Sequence, residues 1–463
     1  MNGKYRDPKN GTARSKGPDY QSLLERDSRP APAPLREEHS CYLGSDGIPV
    51  ERYLSQAFFN LEVEHMWPRV WQMACREEEL ARPGDTLVYE NVGRSVILVR
   101  DGNGALRAYW NSCLHRGRKL LTEGGNMERL RCPFHGFTWN LEGGISSVPC
   151  RWDFAHLEDT DLTLPEVRLD TWGGFVFINW DGKAPPLSDY LEILPQHFRR
   201  WDLENCFKHA HVARRISANW KVAMEAFMES YHVLATHPQI LPFAADASAQ
   251  YDIYGDHVNR NLMAFAVPSP HLADRNVSAG EVLRGMLAMW GRESARTEPL
   301  DDDDPLAARH VLGQLNRDTF ARAFRRSHDD ATDAEVLDAM VYNVFPNFSP
   351  WAGFAPNIIY RWLPDGMDVN SCIMEVMLLK RVPAGSPRPA PAPIHRLEDD
   401  EPWSNAKELP ILGPVIDQDM NNLPHMQTGM RSSATGVVHL GNYQEIRIRH
   451  FHQTLDKYLH GEI

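Results

Sequence analysis

Nowhere in the 463 residues does an apolar run reach the length needed to cross a bilayer, so a membrane-spanning chain is not expected. Basic residues are also in deficit. Lys and Arg number 49 against 62 Asp and Glu, for a formal net charge of −13, and no Lys/Arg cluster supplies the footprint that phosphate binding requires. Nucleic acid is therefore not an expected partner. Cysteine is sparse, seven in all, odd in number and scattered, which fits a reducing compartment better than a disulfide framework. The N-terminal segment lacks both an apolar core and a small-residue cleavage site, so no secretory signal is read and the cytoplasm is the expected location.

What is present is an ordinary globular composition, 42% apolar and 24% charged, in a chain long enough for at least two cores. Residues 1–40, rich in Pro, Gly and charge, read as an N-terminal arm that is mobile or packs on a partner. From Gly84 the runs DTLVYENV, RSVILVR and LRAYWNSC, separated by Gly/Asn/Asp turns, predict a small antiparallel β domain. It is placed at 41–165, ending after the TWNLEGGISSV hairpin. The remainder, 166–463, reads as a larger α+β domain. Its expected elements are a strand at GGFVFINW, a helix along NWKVAMEAFMESYHVLATH, helices between 270 and 335, and strands at NIIYRWL and CIMEVMLLKRV. The acidic DDDDP run is expected to be a solvated helix start, and SPRPAPAPIH an exposed loop.

Two short Cys/His pairs, Cys113-Leu-His115 and Cys132-Pro-Phe-His135, each sit in a turn after a β run. Ligand identity alone permits a structural Cys2His2 zinc. The pairing argues otherwise, because each loop donates one Cys and one His. That division lets one iron of a two-iron cluster take both thiolates and the other both imidazoles. The flanking residues, Asn111 to Gly117 and Cys132 to Trp139, closely resemble the Rieske [2Fe–2S] signature, which makes Cys113, His115, Cys132 and His135 the expected cluster ligands. The glycines are expected to let backbone N–H groups approach the sulfurs.

The second constellation lies in Asn219–Pro238. On an ideal helix Glu225, Glu229 and His232 fall within about 60° of one another, while His237 lies roughly 140° from His232. Pro238 disfavours helix at His237 and frees the last turn to swing that residue back. The pattern NWK…E..F.E.YH….H resembles the mononuclear iron segment of the Rieske non-haem iron aromatic ring-hydroxylating oxygenases, alpha subunit. By that resemblance His232 and His237 are iron ligands. The third ligand, a carboxylate on a C-terminal helix followed eight residues later by Gln, corresponds to Asp419, with Gln427 after it; Asp417 is the competing choice. A catalytic zinc could use the same donors, but a zinc hydrolase has no use for a redox cluster.

The resemblance extends from about residue 45 to 455. It implies a Rieske domain followed by a helix-grip (START/Bet v 1-like) catalytic domain, with a curved antiparallel sheet around a buried pocket. It implies a terminal oxygenase that activates O2 at a mononuclear Fe(II) and hydroxylates an aromatic or polycyclic substrate, by cis-dihydroxylation or monooxygenation. The alternative is a monooxygenase acting on a non-aromatic substrate or by oxidative demethylation. The implied assembly is a head-to-tail trimer, α3 or α3β3 with a small β subunit, in which a carboxylate bridges a cluster histidine of one protomer to an iron-ligand histidine of the next. Glu229 occupies that position, where most members have Asp, and Ala226 stands where the family commonly has Asn. The chain has no Gly-rich dinucleotide fingerprint and no four-cysteine plant-type spacing, so electrons from NAD(P)H are expected through a separate reductase or ferredoxin. Phe227, Met224, Met228 and the stretch VYNVFPNFSPWAGF are the expected pocket lining.

Overall fold

The computed structural model describes Gly11 and residues 13–297, 299–301, 304–354 and 357–463. Residues 1–10 and 12 of the expected arm, and Asp302 and Asp303 of the acidic run, lie outside the described residues. The chain divides into two compact units, one formed by residues 60–190 with 364–367, the other by the rest of the described chain. Among the described residues no helix is long and apolar enough to cross a membrane.

The small unit is built from antiparallel strands. Its first sheet joins β1 (Gln72–Arg76), β8 (Arg168–Trp172) and β9 (Phe175–Asn179) in the order β8-β9-β1. A second sheet carries β2 (Asp85–Asn91), β3 (Arg94–Arg100) and β4 (Leu106–Trp110) in the order β4-β3-β2, with Gly125–Asn126 beyond β2. Val92 and Gly93 link β2 to β3 with φ of 42° and 74°. Two consecutive left-handed residues make the turn whose twist matches that of the flanking strands. A third sheet, β5 (Leu130–Arg131), β6 (Thr138–Trp139) and β7 (Ile145–Ser147), holds the expected second hairpin. Tyr109, Leu130, Phe137 and Trp139 pack together as the core of this unit.

The sequence reading assigned GGFVFINW to the large domain and set the small one at 41–165. Instead Phe175–Asn179 pairs with Gln72–Arg76, which carries the small unit on to Tyr190 and starts it at Asn60. A fully buried strand of five residues carries no signal of which sheet it joins.

The large unit folds around an eight-stranded sheet. Its strands are β10 (Cys206–Ile216), β11 (Gln250–Tyr254), β12 (Val258–Met263), β13 (Ala339–Val344), β14 (Phe348–Pro350), β15 (Asn357–Asp365), β16 (Asp368–Arg381) and β17 (His395–Arg396). The order is β11-β12-β13-β14-β15-β16-β10-β17, antiparallel except for the terminal β10–β17 pair. Ahead of the sheet in sequence is α1 (Tyr20–Leu24), and after β10 come α2 (Trp220–Glu225), α3 (Val233–Thr236), α4 (Ala279–Met289), α5 (Ala307–Phe324), α6 (Leu412–Met420) and α7 (Ile446–His460). Helix α7 buries Ile446, Phe451 and Leu455 and packs on β11 and β12, the grip of the expected α+β fold. The 386–394 segment is an open loop, as its composition predicted.

The expectation of an arm that is mobile or packs on a partner is corrected for its described residues, which pack within the large unit. Tyr20, Leu23, Leu24 and Leu35 are buried, and Asp19 caps α1 by accepting from Ser22 N. Asp27 meets the Arg309 guanidinium of α5 at 2.9 Å, Arg309 meets Asp338 at 2.7 Å, and the Tyr20 hydroxyl donates to Asp338 at 3.0 Å. Ser28 binds Asp333 through both its amide and its hydroxyl. Composition hid this because a few buried apolar residues are supplemented by buried polar pairing, which a low apolar content does not reveal. A buried guanidinium between two carboxylates is costly to break, because its removal leaves both acids unpaired. Arg309→Met is expected to destabilise the large unit by about 3–5 kcal/mol, read as a lowered denaturation midpoint; an unchanged midpoint overturns the clamp.

Candidate metal centres and cavity

In the small unit two loops repeat one design. Cys113 N donates to Arg118 O at 2.8 Å and Gly117 N to Cys113 O at 2.8 Å. In the second loop Cys132 N donates to Phe137 O at 2.8 Å and Gly136 N to Cys132 O at 3.0 Å. Gly117 and Gly136 take φ of 76° and 80°, which a side chain would strain. The amides that reach the sulfurs belong to other residues: His115 and Arg116 donate to Cys113, Phe134 and His135 to Cys132. The glycines thus turn the chain rather than present their own N–H to sulfur, a refinement of the expectation above. Asn111 pins the first loop, its Oδ1 accepting from Leu120 N and Leu121 N at 2.9 and 3.0 Å.

The loops bring their donors together. Cys113 and Cys132 share a hydrogen bond, and the His115 and His135 rings lie 4.5 Å apart between centroids. His115 stacks on Phe137 at 4.9 Å and 6°. Burial holds the Cys113 thiol above its ordinary range despite its N–H donors, while the Cys132 thiol is lowered by the Phe134 N–H and Cys113. Two sulfurs each met by backbone N–H groups, facing two imidazoles, fit a two-iron cluster with divided ligation.

In the large unit the expected single helix is broken. Helix α2, capped by the Asn219 side chain on Lys221 N, stops at Glu225. Beyond it Ser230 N donates to the Tyr251 hydroxyl, and Met228 O accepts from Arg447 Nη1, both at 3.0 Å. Side chains of other elements thus take backbone groups that a helix would pair internally. Helix α3 begins after His232 and ends at His237, whose φ of −123° and ψ of 49° precede Pro238, as the proline predicted. Glu225 consequently does not share a face with Glu229. It turns to the Tyr53 hydroxyl at 2.9 Å and His452 Nε2 at 3.0 Å.

Three donors converge: those of His232, His237 and Asp419 lie within 4.8 Å of one another. Asp419 Oδ1 is 3.0 Å from His237 Nε2 and 3.6 Å from His232 Nε2. Asp417, the competing carboxylate, instead accepts from Trp403 N and Ser404 N at 2.6 and 3.1 Å. Glu229 holds His232 twice, accepting from its amide at 2.9 Å and lying 2.7 Å from Nδ1. Gln418 Oε1, which the sequence reading missed, stands 2.8 Å from His237 Nδ1. Its only signal was adjacency to Asp419. Burial alone would lower the His232 pKa, yet the carboxylates of Glu229 and Asp419 hold it above its ordinary value. The point between the donors therefore favours positive charge, as a metal-binding set should. Gln427, noticed only as a spacing marker, accepts from Asn219 N at 3.1 Å and so steadies the start of α2.

The donors open on a cavity of about 760 Å³. Phe227, Val341 and Trp351 line it, as expected, but Met224 and Met228 do not; both are buried in packing, because the chain turns at Glu225. Lining that sequence reading did not find includes Phe265, Trp290, Phe320 and Tyr360.

Comparison with known proteins places this arrangement. The Rieske [2Fe–2S] domain family matches residues 70–158, and the ring hydroxylating alpha subunit (catalytic domain) family matches residues 197–461. The carnitine monooxygenase oxygenase subunit of Escherichia coli (strain K12) is 33% identical over 232 residues, 48% of this chain and 60% of that one. The large oxygenase component of the naphthalene 1,2-dioxygenase system of Pseudomonas putida is 33% identical over 199 residues, 40% of this chain and 43% of that one. The chain thus spans at most about 60% of the length of these curated relatives. A solved quaternary ammonium Rieske monooxygenase in complex with L-carnitine shares the fold, with a TM-score of 0.59 at 17% identity over 89% of this chain and 95% of that one. Since the catalytic-domain match covers more than half of the sequence, the chain belongs to the ring-hydroxylating alpha subunit family, whose cofactors are a Rieske [2Fe–2S] cluster and a mononuclear iron.

Proposed function

We propose that this chain is the terminal oxygenase of a multi-component system, inserting oxygen from O2 into an apolar organic substrate with electrons that originate in NAD(P)H. The observation that carries the reading is a two-histidine, one-carboxylate donor set opening on an apolar cavity of about 760 Å³. Cys113, His115, Cys132 and His135 are the proposed cluster ligands, and His232, His237 and Asp419 the proposed iron ligands. Ferrous iron held by two imidazoles and a carboxylate supplies open positions for O2 beside the substrate. The protein groups have separate tasks: Glu229 and Gln418 orient the imidazoles, and the cavity wall excludes water. Electrons come from a separate reductase or ferredoxin, the assembly is a trimer with or without a small β subunit, and the location is the cytoplasm. Domain limits near 41–165 and 166–463 belong to the same proposal, shifted by the strand pairing described above.

For the substrate, an aromatic or polycyclic compound is supported by the rings facing the cavity, Phe227 lying 4.9 Å from Tyr360 and Trp351 6.2 Å from Tyr360 between centroids. A second reading is oxidation of a quaternary ammonium compound. Aromatic faces attract such cations, and the relative from Escherichia coli is named for carnitine.

Metal analysis of anaerobically prepared, dithionite-reduced protein is expected to give about three irons per chain and the low-average-g paramagnetic resonance signal of a Cys2His2 cluster. Zinc without that signal overturns the reading. Asp419→Asn is expected to drop the count to about two irons with the signal intact, whereas Asp417→Asn keeps the third. Loss of the third iron from the Asp417 variant instead reverses the ligand choice. Glu229→Gln is expected to keep both centres loaded while turnover with a reductase falls by ~10–100-fold or more; unchanged turnover removes the coupling role.

A further inference from the structure

The wall of the cavity is mostly apolar, yet three cations stand in it: Arg292, Lys380 and Lys407. The chain as a whole carries a net charge of −13, so this concentration is not a reflection of composition. The acids of the same wall are engaged. Glu229 binds His232, Asp419 lies between His237 and His232, and Glu408 faces His395 at 3.1 Å. Among the described residues no carboxylate pairs with Lys380; its contact is Nζ to His209 Nε2 at 2.7 Å, and both residues are exposed, so the pair stands where the cavity wall meets solvent.

The placement of His209 is a specific act of the fold. The pairing of β10 with β16 shifts register between Lys208 and Ala210, leaving His209 as the extra residue. Regular alternation would put His209 and His211 on one face. Instead His209 lines the cavity, while Lys208 and His211, three apart, meet at 3.3 Å. Phe207 pairs with Lys380, so alternation puts His209 on the Lys380 face, and the bulge turns His211 to the other; Lys380 shares its face of β16 with the cavity-lining Leu378. Partial desolvation and the neighbouring Lys380 ammonium both hold the His209 pKa below its ordinary value. A neutral imidazole accepts one ammonium hydrogen and leaves two for another acceptor.

We infer that the substrate of this cavity carries an anionic group, a carboxylate in the simplest case, on an apolar body, and that Lys380, oriented by His209, receives the anion. The inference rests on the reading of the cavity as the oxidising site. A charge-assisted hydrogen bond from the ammonium distinguishes an acid from its neutral isostere. The same three cations oppose a ligand whose only charge is positive.

The test uses matched probes, 4-phenylbutyrate and 4-phenylbutanamide, titrated calorimetrically into the full-length, iron-loaded protein without O2. The acid is expected to bind at least tenfold more tightly than the amide. Lys380→Gln is expected to bring the two within about twofold, Lys380→Arg to retain the preference, and His209→Ala to weaken it, each with the iron count and cluster signal unchanged. Equal binding of acid and amide, no binding of the acid, or a preference that survives Lys380→Gln overturns the anion subsite. These outcomes are separable from failure of the underlying reading, since that failure appears as a missing third iron in the same preparation.

Discussion

The 2.7 Å contact between Glu229 Oε1 and His232 Nδ1 does two things at once. It occupies one nitrogen of the ring, and through the second oxygen on the His232 amide it fixes where the ring hangs from the backbone. Only Nε2 is then left, and it points toward Asp419. Gln418 performs the same office for His237, with a neutral acceptor in place of a charged one. One imidazole is thus backed by a carboxylate and the other by an amide, so the two are not electrostatically equivalent. The His232 side is the more electron-rich.

The two centres reach convergence by opposite uses of the backbone. In the small unit, glycines at positive φ fold two loops so tightly that four neighbouring amides turn inward to the sulfurs. In the large unit, a helix is interrupted: Tyr251 and Arg447 take up backbone groups between Glu225 and His232, and the chain gains the freedom to bring together histidines that a regular helix would point apart. Asn219 and Gln427 hold the start of that segment, and Pro238 follows its last helical turn.

How much of this could be read from the sequence follows from what each residue type announces. Two Cys/His pairs at fixed spacing mark the loops of the small unit directly, whereas spacing alone leaves His232 and His237 open to an ordinary structural reading, and their reading as ligands rests on the resemblance. Asp419 was separable from Asp417 only by resemblance, and the reason appears in the fold, where Asp417 serves two backbone amides. What was not legible is tertiary: the partner of Phe175–Asn179, the side chains that take up backbone groups after α2, and the polar clamp on the arm. Each depends on residues tens to hundreds of positions away. Local periodicity carries no trace of them.

The sheet shows why such distant pairing also decides the cavity's chemistry. Tyr360, Leu378 and Lys380 line the cavity, while Arg361 and Glu375 on the same strands join at 2.9 Å, with His211 3.2 Å from the acid. Burial would raise the Glu375 carboxyl, but Arg361 and His211 hold it well below the usual range. A slip of one residue in β15 or β16 would exchange the two faces, putting that ion pair into the apolar cavity and the cavity's ring and leucine among the charges. The buried charges therefore act as a register lock. The bulge at His209 is where β10 shifts against β16, and it is there that His209 and His211 part, one lining the cavity and the other meeting Glu375.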